Sequence, residues 1–222
     1  MKRAYSFPRF QRGVALIVTL VILLVVTFMG LVAMRAGMLQ VTMSTNSQVN
    51  ALLFQNAESG NNAVFNAIAP DPTTNPTNPI NLVRDNPGKE LVGCLKSSTL
   101  AFAPSVTSPV TCNPSQDFVS GRGAVAVQVS LMVPMNASGG AQTVINYGTD
   151  ASVLPGGNNL LVSTYATSVL PAFGNATPAN ITTCLGKPQE DSVNPTVTDC
   201  LAAQNASFET LVQEFSYGYP GY

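Results

Sequence analysis

The sequence predicts an α+β fold, with one long N-terminal α-helix packed on an antiparallel β-sheet head. Three observations predict it. Val14 to Met34 is a run of 21 residues interrupted only by Thr19, Thr27 and Gly30. Beyond it the pattern turns amphipathic at helical spacing as far as Ile68. After a cluster of prolines, apolar and polar residues alternate at the period of a strand, most cleanly from Ala124 to Val133.

The chain begins with a short basic segment, residues 1–13, holding Lys2, Arg3, Arg9 and Arg12 and ending at Gly13. It reads as a processing leader outside the fold. The apolar run follows at once. At 1.5 Å per residue it spans ~31 Å, the thickness of a hydrocarbon core. It exceeds the roughly 7–15 residues of a secretory h-region. Four cations precede it and only Arg35 follows closely, so the N-terminus is expected in the cytoplasm and the remainder across the membrane.

The helix is expected to continue over residues 14–69. Val49, Leu52, Leu53, Ala57, Gly60, Val64, Ala67 and Ile68 form its apolar stripe. Pro70 and Pro72 end it, because proline lacks the N–H and clashes with the preceding turn. About 20 residues suffice to cross a membrane. The stripe beyond must therefore pack on something, here the head's own sheet. Gly30 and Gly37 weaken the helix by ~1 kcal/mol each relative to Ala.

Residues 70–90 form a Pro- and Asn-rich connection that reads as a loop with polyproline character. Asp71 and Asn75 lie there without the spacing or Gly of a calcium-binding loop. Residues 91–222 are expected to form the head. Strands are predicted at Ala124–Val133, Gln142–Tyr147 and Leu160–Leu170, and Thr210–Tyr219 fits a strand or a helix, with strand favoured. Leu161, Tyr165 and Val169 share a face of the third. Such alternation predicts one dry face, against the stripe, and one wet face.

Four cysteines, Cys94, Cys112, Cys184 and Cys200, all lie beyond the apolar run. An even number in an oxidising compartment points to disulfides, with three connectivities open. Local pairing, Cys94 with Cys112 and Cys184 with Cys200, closes two loops of similar size, each worth ~3 kcal/mol by loop entropy. Free buried thiols are the alternative. Zinc is disfavoured because there is no C-x-x-C pair and no His.

The composition argues against catalysis. Without His there is no Ser-His-Asp or Cys-His arrangement and no His-ligated metal. No G-x-S-x-G, Walker A or G-x-G-x-x-G motif occurs. Glu190-Asp191 is the one adjacent carboxylate pair and reads as a solvated acidic loop. Four N-x-S/T tripeptides begin at Asn136, Asn175, Asn180 and Asn205 and read as a by-product of polar loops. Without the leader, six basic residues face eleven acidic ones. That balance suits neither nucleic acid nor an anionic membrane surface as partner of the head. No cofactor and no metal are expected.

The layout of basic leader, Gly and immediate apolar helix resembles type IV prepilins. Arg12-Gly13-Val14-Ala15-Leu16, Ala33-Met34-Arg35, Met43-x-x-Asn46 and Phe54-Gln55-x-Ala57-Glu58 narrow the resemblance to PilX-type minor pilins, over residues 12–60. The resemblance implies cleavage between Gly13 and Val14, with Val14 to Met34 as the assembly helix. Most pilins carry a Glu at the fifth mature residue, where this chain has Val18. In the family that Glu is thought to pair with a neighbouring subunit's terminal amine. PilX-type pilins and K-type pseudopilins share its absence and are placed at the filament tip. Val41 and Thr42, where charged residues are common, depart from the family, as does Asn61-Asn62.

The resemblance implies a pilin-like fold and a minor pilin that primes a type IV pilus and sits at its tip. Its implied partners are other minor pilins, the major pilin, the prepilin peptidase and a tip adhesin. It would wait in the inner membrane, single-pass with a periplasmic head, before joining the extracellular pilus. Two alternatives stay open: a minor pseudopilin of a type II secretion system, and a periplasmic binding or adhesion module on an uncleaved anchor.

Overall fold

The computed structural model describes residues 14–69, 75–96, 101–104, 111–119, 124–135, 143–144, 159–190 and 194–218. They form two compact units, the first ending at Val49 and the second beginning at Asn50. The long helix α1 spans Val14–Ile68. The architecture is α+β and pilin-like: a long N-terminal helix and an antiparallel sheet.

In the first unit every residue from 15 to 44 is exposed. None of its most apolar 18-residue window, with mean hydropathy 3.0, is buried. By length and composition the helix can cross a membrane.

In the second unit the rest of α1 lies on a sheet built from β1 (Leu91–Leu95), β2 (Ala126–Met132), β3 (Thr143–Val144), β4 (Asn159–Gly174) and β5 (Ala206–Gly218). All described pairings are antiparallel, in the order β1-β2-β4-β3, with β5 also on β4. Register assigns the faces. Val127 opposes Ser168, Val129 opposes Ala166 and Leu131 opposes Thr164 on the α1 side. Leu53, Ala57, Gly60, Val64 and Ile68 form the buried stripe that meets them. Leu52 and Ala67, expected in that stripe, lie at its margins and stay partly exposed.

Three contacts fix this interface. A Cβ at Gly60 would sit 3.0 Å from the side chains of both Val127 and Val129 and 3.2 Å from Ala166 Cβ. Absence of that atom lets the helix backbone approach the sheet. Ser168 Oγ donates to the Leu53 carbonyl at 2.8 Å, and the Phe65 and Phe215 rings pack at 5.0 Å.

The alternation predicts a wet second face, and the structure buries it instead. Every residue of β2 is buried, as are residues 162–170 of β4. The cover comes from α3 (Pro178–Leu185) and α4 (Val197–Ala203), which the alternation does not reveal. Ile181, Leu185, Val197 and Leu201 form a second core with Val169 and the cysteines. Both helices belong to an excursion between β4 and β5. It is closed by the Asn175 N–H donating to the Asn205 carbonyl at 3.2 Å. Gly174 (φ 108°) and Asn205 (φ 52°) make the turns there in the left-handed region.

The connection is also more ordered than a polyproline loop. Pro79–Asp85 forms the short helix α2. Asn78 caps it by accepting from the Ile80 N–H at 3.0 Å, and Pro79 occupies the first turn, where its missing N–H costs nothing. The expected strand at Gln142–Tyr147 is described only at Thr143–Val144, and the C-terminal strand begins earlier than expected, at Ala206. Residues 70–74, including Asp71, lie outside the described residues.

Candidate functional site

The expected assembly helix is the first unit of α1. Gly13 lies outside the described residues, and Val14 opens the helix. Val18 is 49% exposed and Met34 68% exposed. Arg35 is the only charged residue between Val14 and Val49, so no carboxylate stands on this half. Its threonine hydroxyls are satisfied within the helix. Thr19 Oγ1 donates to the Leu16 carbonyl at 2.9 Å and Thr27 Oγ1 to the Leu24 carbonyl at 2.8 Å. Thr42 and Thr45 do the same to Met38 and Val41. From 15 to 34, where the two threonines bond their own backbone, the helix presents only apolar groups outward, as lipid or a packed filament core demands.

Gly30 and Gly37 meet nothing within 4 Å where a Cβ would be. Nothing among the described residues therefore explains them by close packing. Val25, Phe28, Met29, Val32, Ala33 and Ala36 together line one shallow apolar concavity on the helix surface.

In the second unit the structure joins Cys94 to Cys112 and Cys184 to Cys200, with Cα separations of 5.2 and 5.3 Å. Cys94–Cys112 lies in the core covered by α3 and α4, and Cys184–Cys200 ties α3 to α4, with Cys200 half-buried. Gln128 ties the two loops together. It is 1% exposed; its Oε1 accepts from the Cys112 N–H at 3.0 Å and its Nε2 donates to the Leu185 carbonyl at 2.7 Å. Both ends of the buried amide are thus satisfied, as burial requires.

One polar cluster was not anticipated from sequence. Glu90 accepts from Ser130 Oγ at 3.0 Å and from the Gln189 N–H at 2.7 Å. Tyr165 OH donates to the exposed Glu190 carboxylate. Burial first, and then that carboxylate, raise the Tyr165 pKa well above the ordinary phenol value. The only signal for this cluster was alternation, which puts Ser130 and Tyr165 on one face as register partners. Glu190 does sit on the surface, but as the acceptor of a buried phenol. Asp191 lies outside the described residues.

Among the described residues no group of three or more Cys, Asp or Glu side chains is placed to hold a metal ion. The Asn75 carboxamide oxygen is engaged by the backbone N–H and the hydroxyl of Thr77. The geometry offers a packing surface on α1.

Residues 12–62 match the family model described as PilX N-terminal. The match covers less than half of the chain and falls on Arg12, Gly13 and most of α1. The N-terminal segment is therefore of the PilX type, consistent with a minor pilin of a type IV pilus. No curated protein and no solved structure matches the chain.

Proposed function

We propose that this chain is a minor pilin that primes a type IV pilus and caps its tip. It acts by helix packing with other minor pilins and the major pilin. One observation carries the reading: α1 from 15 to 34 is apolar, exposed, satisfied in its own hydrogen bonds and devoid of carboxylates. Such a surface is costly in water and is covered by lipid before assembly and by neighbouring helices after it.

Val18 gives the reading its polarity. A carboxyl at this depth costs a few kcal/mol in the membrane, and a subunit bearing one recovers that cost on meeting an amine. Val18 carries neither cost nor compensation. A subunit added beneath this one would present an amine that Val18 leaves unpaired in an apolar core. Self-polymerisation repeats that penalty at every step, whereas an end position meets it once at most.

The test is intact-mass and N-terminal analysis of protein from membranes and from sheared filaments. The expected mature chain starts at a methylated Val14, and its abundance falls far below that of the major pilin. Gly13 replaced by a bulky residue blocks processing by the prepilin peptidase and entry into filaments. Val18→Glu changes incorporation or position. Filaments containing the chain with residues 1–13 attached reject the pilin reading. Labelling along the whole shaft rejects the tip.

A further inference from the structure

We propose that the outer edge of β5 from Ala206 to Ser216, which no strand pairs among the described residues, is a docking site for an extended strand of a partner protein, one that carries two cations five residues apart. β5 spans 13 residues and pairs with β4 along its length. The other side of β4 is taken by β2 and β3. Among the described residues no strand pairs the outer edge of β5 between Ala206 and Ser216. An edge of this length is a template for a further strand.

Natural edges are commonly blunted by Lys, Pro, bulges or short length. β5 has none of these. It contains no Lys, Arg or Pro, and the one irregularity of its ladder lies on β4, between Leu170 and Gly174. Its residues are all half-buried or exposed, and Val212 is 52% exposed. Among the described residues the edge is open and regular from Ala206 to Ser216.

Charge selects the occupant. Beyond Lys187 the sequence has five carboxylates and no Lys or Arg. Two of them, Glu209 and Glu214, stand on β5. Register puts Glu209 opposite Ser168, on the α1 face, and Glu214 opposite Ser163, on the other face. A second copy pairing edge to edge would bring two carboxylates from each chain to one seam, with no cation to offset them. A foreign strand with Lys or Arg five residues apart places one cation on each face, beside each Glu. Backbone hydrogen bonds supply the affinity of such strand addition, and side chains supply its selectivity.

The test uses the full chain in detergent micelles and three fluorescent 11-residue peptides of alternating Thr and Val. One carries two Lys five residues apart, one carries two Lys four apart, and one carries two Glu five apart. Anisotropy should show the first binding at least tenfold tighter than the third, with the second between them. Val212→Pro should abolish binding. If that variant misfolds, the folded double variant E209K/E214K is expected to reverse the preference in favour of the Glu peptide. No binding, or equal binding of all three, overturns the proposal. Photo-crosslinking from position 212 to a second copy overturns it in favour of self-association. The pilin reading sets only where the partner is to be found. The assay runs equally on unprocessed chain, so a failure of leader cleavage and a failure of strand docking are read separately.

Discussion

The two halves of α1 are one continuous helix stabilised in two different ways. From 15 to 44 no residue is buried, and nearly every side chain is apolar. From Leu53 to Ile68 one stripe is buried against the sheet, while Gln55, Glu58 and Asn62 on the other side stay exposed. The second half is an ordinary amphipathic helix in water. The first is a helix that is hydrophobic all round, which makes sense only in lipid or among other helices. Identical backbone geometry therefore says little about what holds each half. The surroundings of the side chains decide it.

The comparison can be broken most severely by reduction. Opening both disulfides should destabilise the head by about 3 kcal/mol for each bridge. Circular dichroism in detergent should still show the first half of α1 helical, because no bridge touches it. Unreduced protein should show no alkylatable thiol. Loss of all helicity on reduction would mean that the halves are not independently held.

Leu53 and Leu31 give the next contrast. Leu53 is 1% exposed and Leu31 is 59% exposed. Leu53→Ala should cost about 2–5 kcal/mol in denaturant unfolding of the head. Leu31→Ala should change head stability by less than about 0.5 kcal/mol, the range of surface substitutions, and show instead as reduced filament incorporation. The glycines repeat the contrast with a change of sign. Gly60→Ala forces a methyl against Val127, Val129 and Ala166 and should cost ~1–3 kcal/mol. Gly37→Ala meets nothing and should stabilise the helix by up to ~1 kcal/mol.

Ser168→Ala removes the hydrogen bond to the Leu53 carbonyl and should cost about 1 kcal/mol, measured by the same unfolding curves. The smallest expected effect is a pH dependence remote from α1. The Tyr165 pKa is raised in the folded state. The folded chain thus holds that proton more tightly, and the resulting stability is full below the ordinary phenol value of ~10. It is lost as pH rises above that value toward the folded one. Tyr165→Phe should flatten the alkaline limb of the stability curve and leave neutral pH little changed.

The parts of this fold that the sequence revealed are those with a long period. The 3.6-residue stripe and the end at the prolines gave α1, and strict alternation gave β2 and β4. What was hidden is short or doubly buried. β1 is five residues, Leu-Val-Gly-Cys-Leu, buried throughout, and such a run has no periodicity to read. α2, α3 and α4 span seven or eight residues, too few for a convincing stripe, yet their caps were present in the sequence. Thr177-Pro178 and Asn78-Pro79 each place a capping side chain before a first-turn proline. Thr196 and Asp199 form a capping box. The wet second face failed as an expectation for the same reason, since the helices that cover it were not seen. On the first half of α1, sequence and structure give the same apolar surface from 15 to 34, because exposure there needs no tertiary information.

The placement of the two bridges has a mechanical consequence. Each disulfide joins cysteines 18 or 16 residues apart, and neither includes α1. A pull on the N-terminal helix is therefore resisted by no cross-link. It is resisted by Leu53, Ala57, Val64 and Ile68 sliding over β2 and β4, and by the Ser168 bond. Those contacts lie in a row along the direction of pull, so they shear together instead of opening one after another. Tension on a filament containing this subunit would be carried by the packing between helix and sheet. The covalent loops would stay slack and keep the remainder of the head folded if that packing yielded.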